Sequence, residues 1–122
     1  MDKKKMHMER GSGTHIAIVG PCGSGKSTLV SALNVRGYDA RQIAQEHSVV
    51  PAMWKKLTNP DILIYLDVSF QSGTRRKQFN WTPEEFEEQV RRLLHARQHC
   101  DIYVHTDSLK PPEVVAKVLD QL

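Results

Sequence analysis

Residues 20–27 read GPCGSGKS: a glycine, four residues, a second glycine, a lysine and a serine. That spacing lets a loop hold a polyphosphate. Gly20, Gly23 and Gly25 open backbone conformations closed to residues with a Cβ, so that successive amide hydrogens can turn into one concavity. Pro21, Cys22 and Ser24 complete the loop, with Cys22 read as a tolerated small residue rather than a nucleophile. A helix starting at the loop's end would add partial positive charge. Lys26 would then reach the outer phosphates, the Ser27 hydroxyl would coordinate Mg²⁺ and Thr28 would support the inner phosphate. A glycine turn with no ligand would leave Lys26 an idle charge in a cleft.

A magnesium nucleotide also needs a carboxylate near Ser27, at the carboxyl edge of a neighbouring strand. Asp67 is the first choice, because it ends the apolar run Ile62, Leu63, Ile64, Tyr65, Leu66 in the manner of a Walker B strand. A strand-end aspartate that merely caps a turn is the plain alternative. Asp39 and Glu46, expected beyond the second strand on the same sheet edge, are its rivals for the metal. Arg75, Arg76 and Lys77 follow in a segment with Gly73 as a hinge, and could close over the phosphates as a lid. A solvated basic helix start is the competing account. His95, His99 and Cys100 invite a metal reading on one helix face but lack a fourth ligand. Trp54 and Trp81 suit core or lid packing better than base stacking.

These groups need a scaffold of alternating strands and helices. His15, Ile16, Ala17, Ile18 and Val19 form a branched apolar run between glycines, which predicts a buried first strand leading into the loop. The helix after it carries Leu29, Ala32, Leu33 and Val35 and stops at Gly37. Residues 38–41 give a brief second strand, Pro51 opens a short helix, and residues 61–68 give the most apolar strand. Thr82, Pro83 and Glu85 make a capping-box start for one helix running to about residue 99, with Phe86, Val90, Leu93 and Leu94 on its inner face. A strand over residues 102–104 and a helix opened by Pro112 complete the chain. The expectation is a three-layer α/β/α fold on a mostly parallel sheet of about four strands.

At 122 residues the chain has room for one domain, residues 15–122, after a flexible basic leader over residues 1–14. Charged residues are 25% and apolar ones 39%, an ordinary globular balance that excludes disorder and fibrous repeats. Of the net charge of +3, Lys3, Lys4, Lys5 and Arg10 against Asp2 and Glu9 supply +2. The nearly neutral remainder gives no case for a dedicated nucleic-acid binder. No apolar run is long enough to span a membrane. Two cysteines and no secretory leader point to the cytoplasm.

The chain resembles the P-loop small-molecule kinases, the group of shikimate, gluconate and nucleoside monophosphate kinases. GPCGSGKST is similar to their phosphate loop. DILIYLDVS followed by TRRK is similar to their fourth strand and arginine-bearing lid, and CDIYVHTDSLKPPEVVAKVLDQL to their last strand and closing helix. The middle is shorter: only residues 42–60 stand where those kinases place a further strand and an acceptor-binding subdomain. The segment RQIAQEHSVVPAMWKKL is similar to small uncharacterised P-loop ATPase-like proteins. The resemblance implies a Mg²⁺-ATP-binding protein that transfers a phosphoryl group to an unidentified small acceptor, or hydrolyses ATP. Lys26, Arg75 and Arg76 would neutralise charge, and Glu46 or Asp39 would orient the acceptor. A non-catalytic nucleotide switch with a protein partner is the alternative. Lack of an NKxD tetrapeptide leans the base toward adenine, and the sheet edges leave room for a homodimer.

Overall fold

The computed structural model of the chain describes residues 13–77 and 80–122, so that most of the expected leader lies outside the described residues. Four strands, β1 (His15–Val19), β2 (Asp39–Gln42), β3 (Ile62–Asp67) and β4 (Ile102–His105), form one all-parallel sheet in the order β2-β1-β3-β4. Parallel neighbours require crossovers, and the helices supply them: α1 (Lys26–Val35), α2 (Met53–Thr58), α3 (Phe70–Lys77), α4 (Pro83–Arg92), α5 (Leu94–His99) and α6 (Pro111–Gln121). A single 3₁₀ turn, Gln45–His47, follows β2.

Alternation along the strands divides the core in two. Ile16, Ile18, Ile64, Leu66, Ile102 and Val104 pack against Leu29 and Leu33 of α1 and Val114 and Val118 of α6. Ala17, Val19, Leu63 and Tyr65 face the other way, onto Trp54, Leu93 and Ala96. Helices therefore cover both faces, which is the expected α/β/α architecture. Every described strand ends its run at the same sheet edge, and β1 lies between β2 and β3. Since the chain moves from β1 to β2 on one side and then to β3 on the other, the strand order reverses beside β1, where a crevice must open.

Local signals explain most boundaries. Gly37, at φ 94°, ends the first helix as expected, its N–H reaching the Asn34 carbonyl. Thr82 Oγ1 accepts from the Glu85 N–H at 3.1 Å and Glu85 Oε1 from the Thr82 N–H at 2.9 Å, closing the capping box. Three expectations need correction. The helix expected to run to residue 99 breaks at Leu93, whose N–H is shared between the Gln89 and Val90 carbonyls. Leu93 is fully buried there, but Val90 and Leu94 are exposed and Gln89 takes an inward position instead. The expected hinge segment is a helix, α3, and Gly73 lies inside it.

Candidate functional site

The loop leaves β1 at the carboxyl edge. Gly23 and Gly25 have φ 87° and 96°, in the left-handed region that glycine enters without strain. Close approach explains two positions further. A Cβ on Gly20 would lie 2.1 Å from the Leu66 carbonyl oxygen, and one on Gly23 would lie 2.8 Å from the Gly73 backbone. α3 thus rests directly on the loop, glycine against glycine. The Ser24 N–H closes a turn to the Pro21 carbonyl, and α1 begins at Lys26, so that its first amides have no carbonyl of their own helix to meet. Ser27 and Thr28 are exposed on that first turn.

Lys26 is buried at 8% exposure, folded back under the loop. Its Nζ donates to the Gly20 carbonyl at 2.7 Å, the Pro21 carbonyl at 3.3 Å and Glu46 Oε2 at 3.0 Å. Glu46 is 3% exposed, and its Oε1 has no hydrogen-bond donor among the described residues. Burying an ion pair costs desolvation that only good geometry offsets. Leaving a buried acceptor unmatched adds about 1–3 kcal/mol. That expense marks a place built for something other than stability.

The structure separates the three carboxylate candidates. Asp39 opens β2 in register with His15, the first residue of β1, so it stands at the opposite end of the sheet from the loop. Its carboxylate pairs with His15 Nδ1 at 2.8 Å. The expectation that Asp39 and Glu46 share an edge is thereby corrected: Asp39 begins the strand, whereas Glu46 follows its end. Asp67 does lie at the loop's edge, but its carboxylate accepts from the Tyr103 hydroxyl at 2.5 Å and from the Val68 N–H at 2.9 Å. It sits on the sheet face of Tyr65 and Tyr103, away from α1 and Ser27. Burial, and donation to Asp67, push the Tyr103 phenol above its ordinary pKa. The carboxylate that meets the loop lysine is Glu46, delivered by β2, which is directly beside β1.

The three cations of α3 also part company. Arg76 bridges the loop to the end of β4, its Nη1 donating to the Gly23 carbonyl at 3.2 Å and to Thr106 Oγ1 at 2.9 Å, and its Nη2 to the Thr106 carbonyl at 2.5 Å. Among the described residues Arg75 donates to Ser72 of its own helix, at 3.3 Å. Lys77 lines an open cavity with Cys22, Lys26, Ser27, Gln42 and Glu46. On the other flank a small open pocket is walled by Leu29, Leu109, Val114 and Val115, with Thr28, Arg76 and Thr106 at its polar end.

Several participants carried no sequence signal. Gln89 accepts from the Cys22 N–H at 3.2 Å, steadying the loop from α4. Gln45, fully buried, accepts from the Trp54 N–H at 2.8 Å and donates to the Val50 and Arg92 carbonyls, which fixes the turn bearing Glu46. Cys22 Sγ stands 3.7 Å from Glu46 Oε2 and 3.6 Å from His47 Nε2. Burial, reinforced by the Glu46 carboxylate, raises the Cys22 thiol above its usual pKa. His95 and His99 do not assemble a metal site with Cys100. They stack on one another beside Trp54, whose Nε1 donates to His95 Nδ1 at 3.2 Å. Trp54 itself is a core residue. Among the described residues no helix is long and apolar enough to cross a membrane. No family model, curated protein or solved structure matches the chain.

Proposed function

We propose that this chain binds a magnesium purine triphosphate, with a lean to ATP, and promotes transfer of its terminal phosphoryl group to an acceptor or to water. A single observation carries the reading: a buried lysine held by carbonyls and one carboxylate at a helix start, beneath a loop with left-handed glycines at positions 23 and 25. The residues present fit the magnesium ion. Glu46 Oε1 is a buried, unmatched acceptor, and the exposed Ser27 lines the same cavity as Glu46.

Within this reading the loop amides and the first turn of α1 grip the phosphates, and Thr28 supports the inner one. Lys26 exchanges its Gly20 carbonyl and Glu46 for phosphate oxygens, and Glu46 with Ser27 would hold the metal. When bound, Mg²⁺ supplies charge neutralisation across the outer phosphates. Arg76 faces the inner phosphates and ribose from the apolar flank, whose aliphatic walls suit a flat base. Of the three cations expected to close over the phosphates, Lys77 is the one that lines this cavity, at the terminal phosphate. Positioning and electrostatics would provide most of the catalysis.

A specific observation favours a second reading, a nucleotide-dependent switch. Only the six-residue α2 and its flanking turns stand between the Glu46 turn and β3, so nothing of subdomain size covers an acceptor. Calorimetric titration with Mg²⁺-ATP, paired with measurement of phosphate release, separates the two. Binding abolished by Lys26→Ala with steady turnover supports the enzyme, binding without turnover supports the switch, and no heat with any purine triphosphate overturns both.

A further inference from the structure

We propose that Cys22, Glu46 and His47 form a binding site for one thiophilic divalent cation, with Zn²⁺ as the best match. The three side chains come from two adjacent elements, the loop after β1 and the 3₁₀ turn after β2, and meet where those strands end. Their donor atoms make a nearly equilateral triangle. Cys22 Sγ to His47 Nε2 is 3.6 Å, Cys22 Sγ to Glu46 Oε2 is 3.7 Å and His47 Nε2 to Glu46 Oε2 is 3.8 Å. A point equidistant from three atoms so spaced lies about 2.1 Å from each, which is the Zn²⁺ bond length to nitrogen or oxygen and slightly under that to sulfur. The donors therefore need little movement to become ligands.

Ligand chemistry selects the ion. A thiolate and an imidazole favour zinc and its softer neighbours over Mg²⁺, which takes oxygen donors. Three protein ligands leave a fourth position for water. Glu46 Oε1, buried without a donor among the described residues, is an independent sign that this carboxylate is underused. Oε2, the oxygen in the triangle, also accepts from Lys26 Nζ at 3.0 Å, so a cation would share it with the lysine or take Oε1 after a rotation of the carboxylate. The turn is held in advance by Gln45, and the His47 ring, 57% exposed, gives the ion a route from solvent. On binding, the Cys22 S–H bond breaks, its proton leaves to solvent and a metal–sulfur bond forms. The net charge of the cluster with Lys26 then stays modest: two anionic ligands against a dication and one ammonium. An ion there would fix Cys22 and engage Glu46, so it would oppose loading of a magnesium nucleotide in the same cavity.

The test is a titration of the reduced full-length chain with Zn²⁺ against a chromophoric chelator, followed by Co²⁺ to report thiolate ligation by near-ultraviolet charge-transfer absorption. One ion per chain is expected, with the Co²⁺ band lost in Cys22→Ser and affinity reduced by roughly tenfold or more in Cys22→Ser and in His47→Ala. His99→Ala should bind as the parent does. His47 is exposed, so His47→Ala keeps the test informative if Cys22→Ser fails to fold. No Zn²⁺ uptake at submillimolar concentration, or equal uptake by parent, Cys22→Ser and His47→Ala, overturns the site. The titration contains no nucleotide, so that result would leave the phosphate reading standing.

Discussion

The two flanks of the glycine loop are built from opposite materials. On the β2 side, a buried lysine, a buried carboxylate, a thiol and an imidazole crowd the end of two adjacent strands. On the β3–β4 side, aliphatic side chains of α1 and α6 wall a cavity, and one guanidinium crosses its mouth. Among the described residues the first flank gathers the carboxylate, thiol and imidazole, whereas the second is mainly aliphatic. The asymmetry follows from strand order, because β2 delivers a polar turn to the loop while β4 delivers Thr106 and the start of an amphipathic helix.

The largest effect should come from breaking the charged flank. Lys26→Ala strands Glu46 as a buried, unpaired carboxylate and should cost about 3–5 kcal/mol in urea denaturation, besides abolishing ATP binding. A variant as stable as the parent would show that the pair is not a buried one in solution. Glu46→Gln in the same background should return much of that stability, since the stranded charge is gone.

Next in size is the contact between loop and α3. Gly23→Ala places a Cβ against the Gly73 backbone in a left-handed conformation and should lose about 2–4 kcal/mol. Gly25→Ala meets open space at a similar φ, so only the backbone strain of about 1–2 kcal/mol applies. Thermal melts of the two variants compare them directly, and equal losses would mean that α3 yields freely.

The apolar flank should respond more mildly. Arg76→Ala removes hydrogen bonds to Gly23 and Thr106 from a charged donor, worth about 1.5–3 kcal/mol together at most given the exposure of the side chain. It should weaken ATP more than inorganic triphosphate, a ratio read by calorimetry. If both weaken equally, Arg76 acts on phosphates alone and the base lies elsewhere.

The smallest effect concerns Cys22. In metal-free Cys100→Ser protein, alkylation should accelerate only above the ordinary thiol range, because burial and Glu46 favour the protonated form. Glu46→Gln should move the rate profile to lower pH. A profile that ignores Glu46 would place the thiol outside the cluster.

Much of this architecture was legible in the chain. Apolar runs gave the strands, Gly37 and the Thr82 capping box gave helix ends, and GPCGSGKS located the loop with its lysine. The carboxylate could not be chosen in that way. Asp67 carries the stronger local pattern, yet which strand lies beside β1 and which face a strand-end side chain takes are tertiary facts. Asp39 was misplaced because a four-residue strand with one apolar residue, Ala40, does not announce where it begins. The break at Leu93 has no proline or glycine to signal it, and it arises where Leu93 itself sinks into the core. Gln89 reaches Cys22 and Gln45 reaches Arg92 through buried amides across long stretches of chain, so no spacing points to those contacts.

The glycine seam between positions 23 and 73 sets a rule for any redesign of this chain. With α3 seated on the loop and Arg76 hooked to the Gly23 carbonyl, the grip and the arginine helix travel as one body. A bulkier side chain at either position would wedge them apart and unhook the guanidinium at the same stroke. Libraries that vary one glycine should therefore vary the other with it, together with the arginine three residues along.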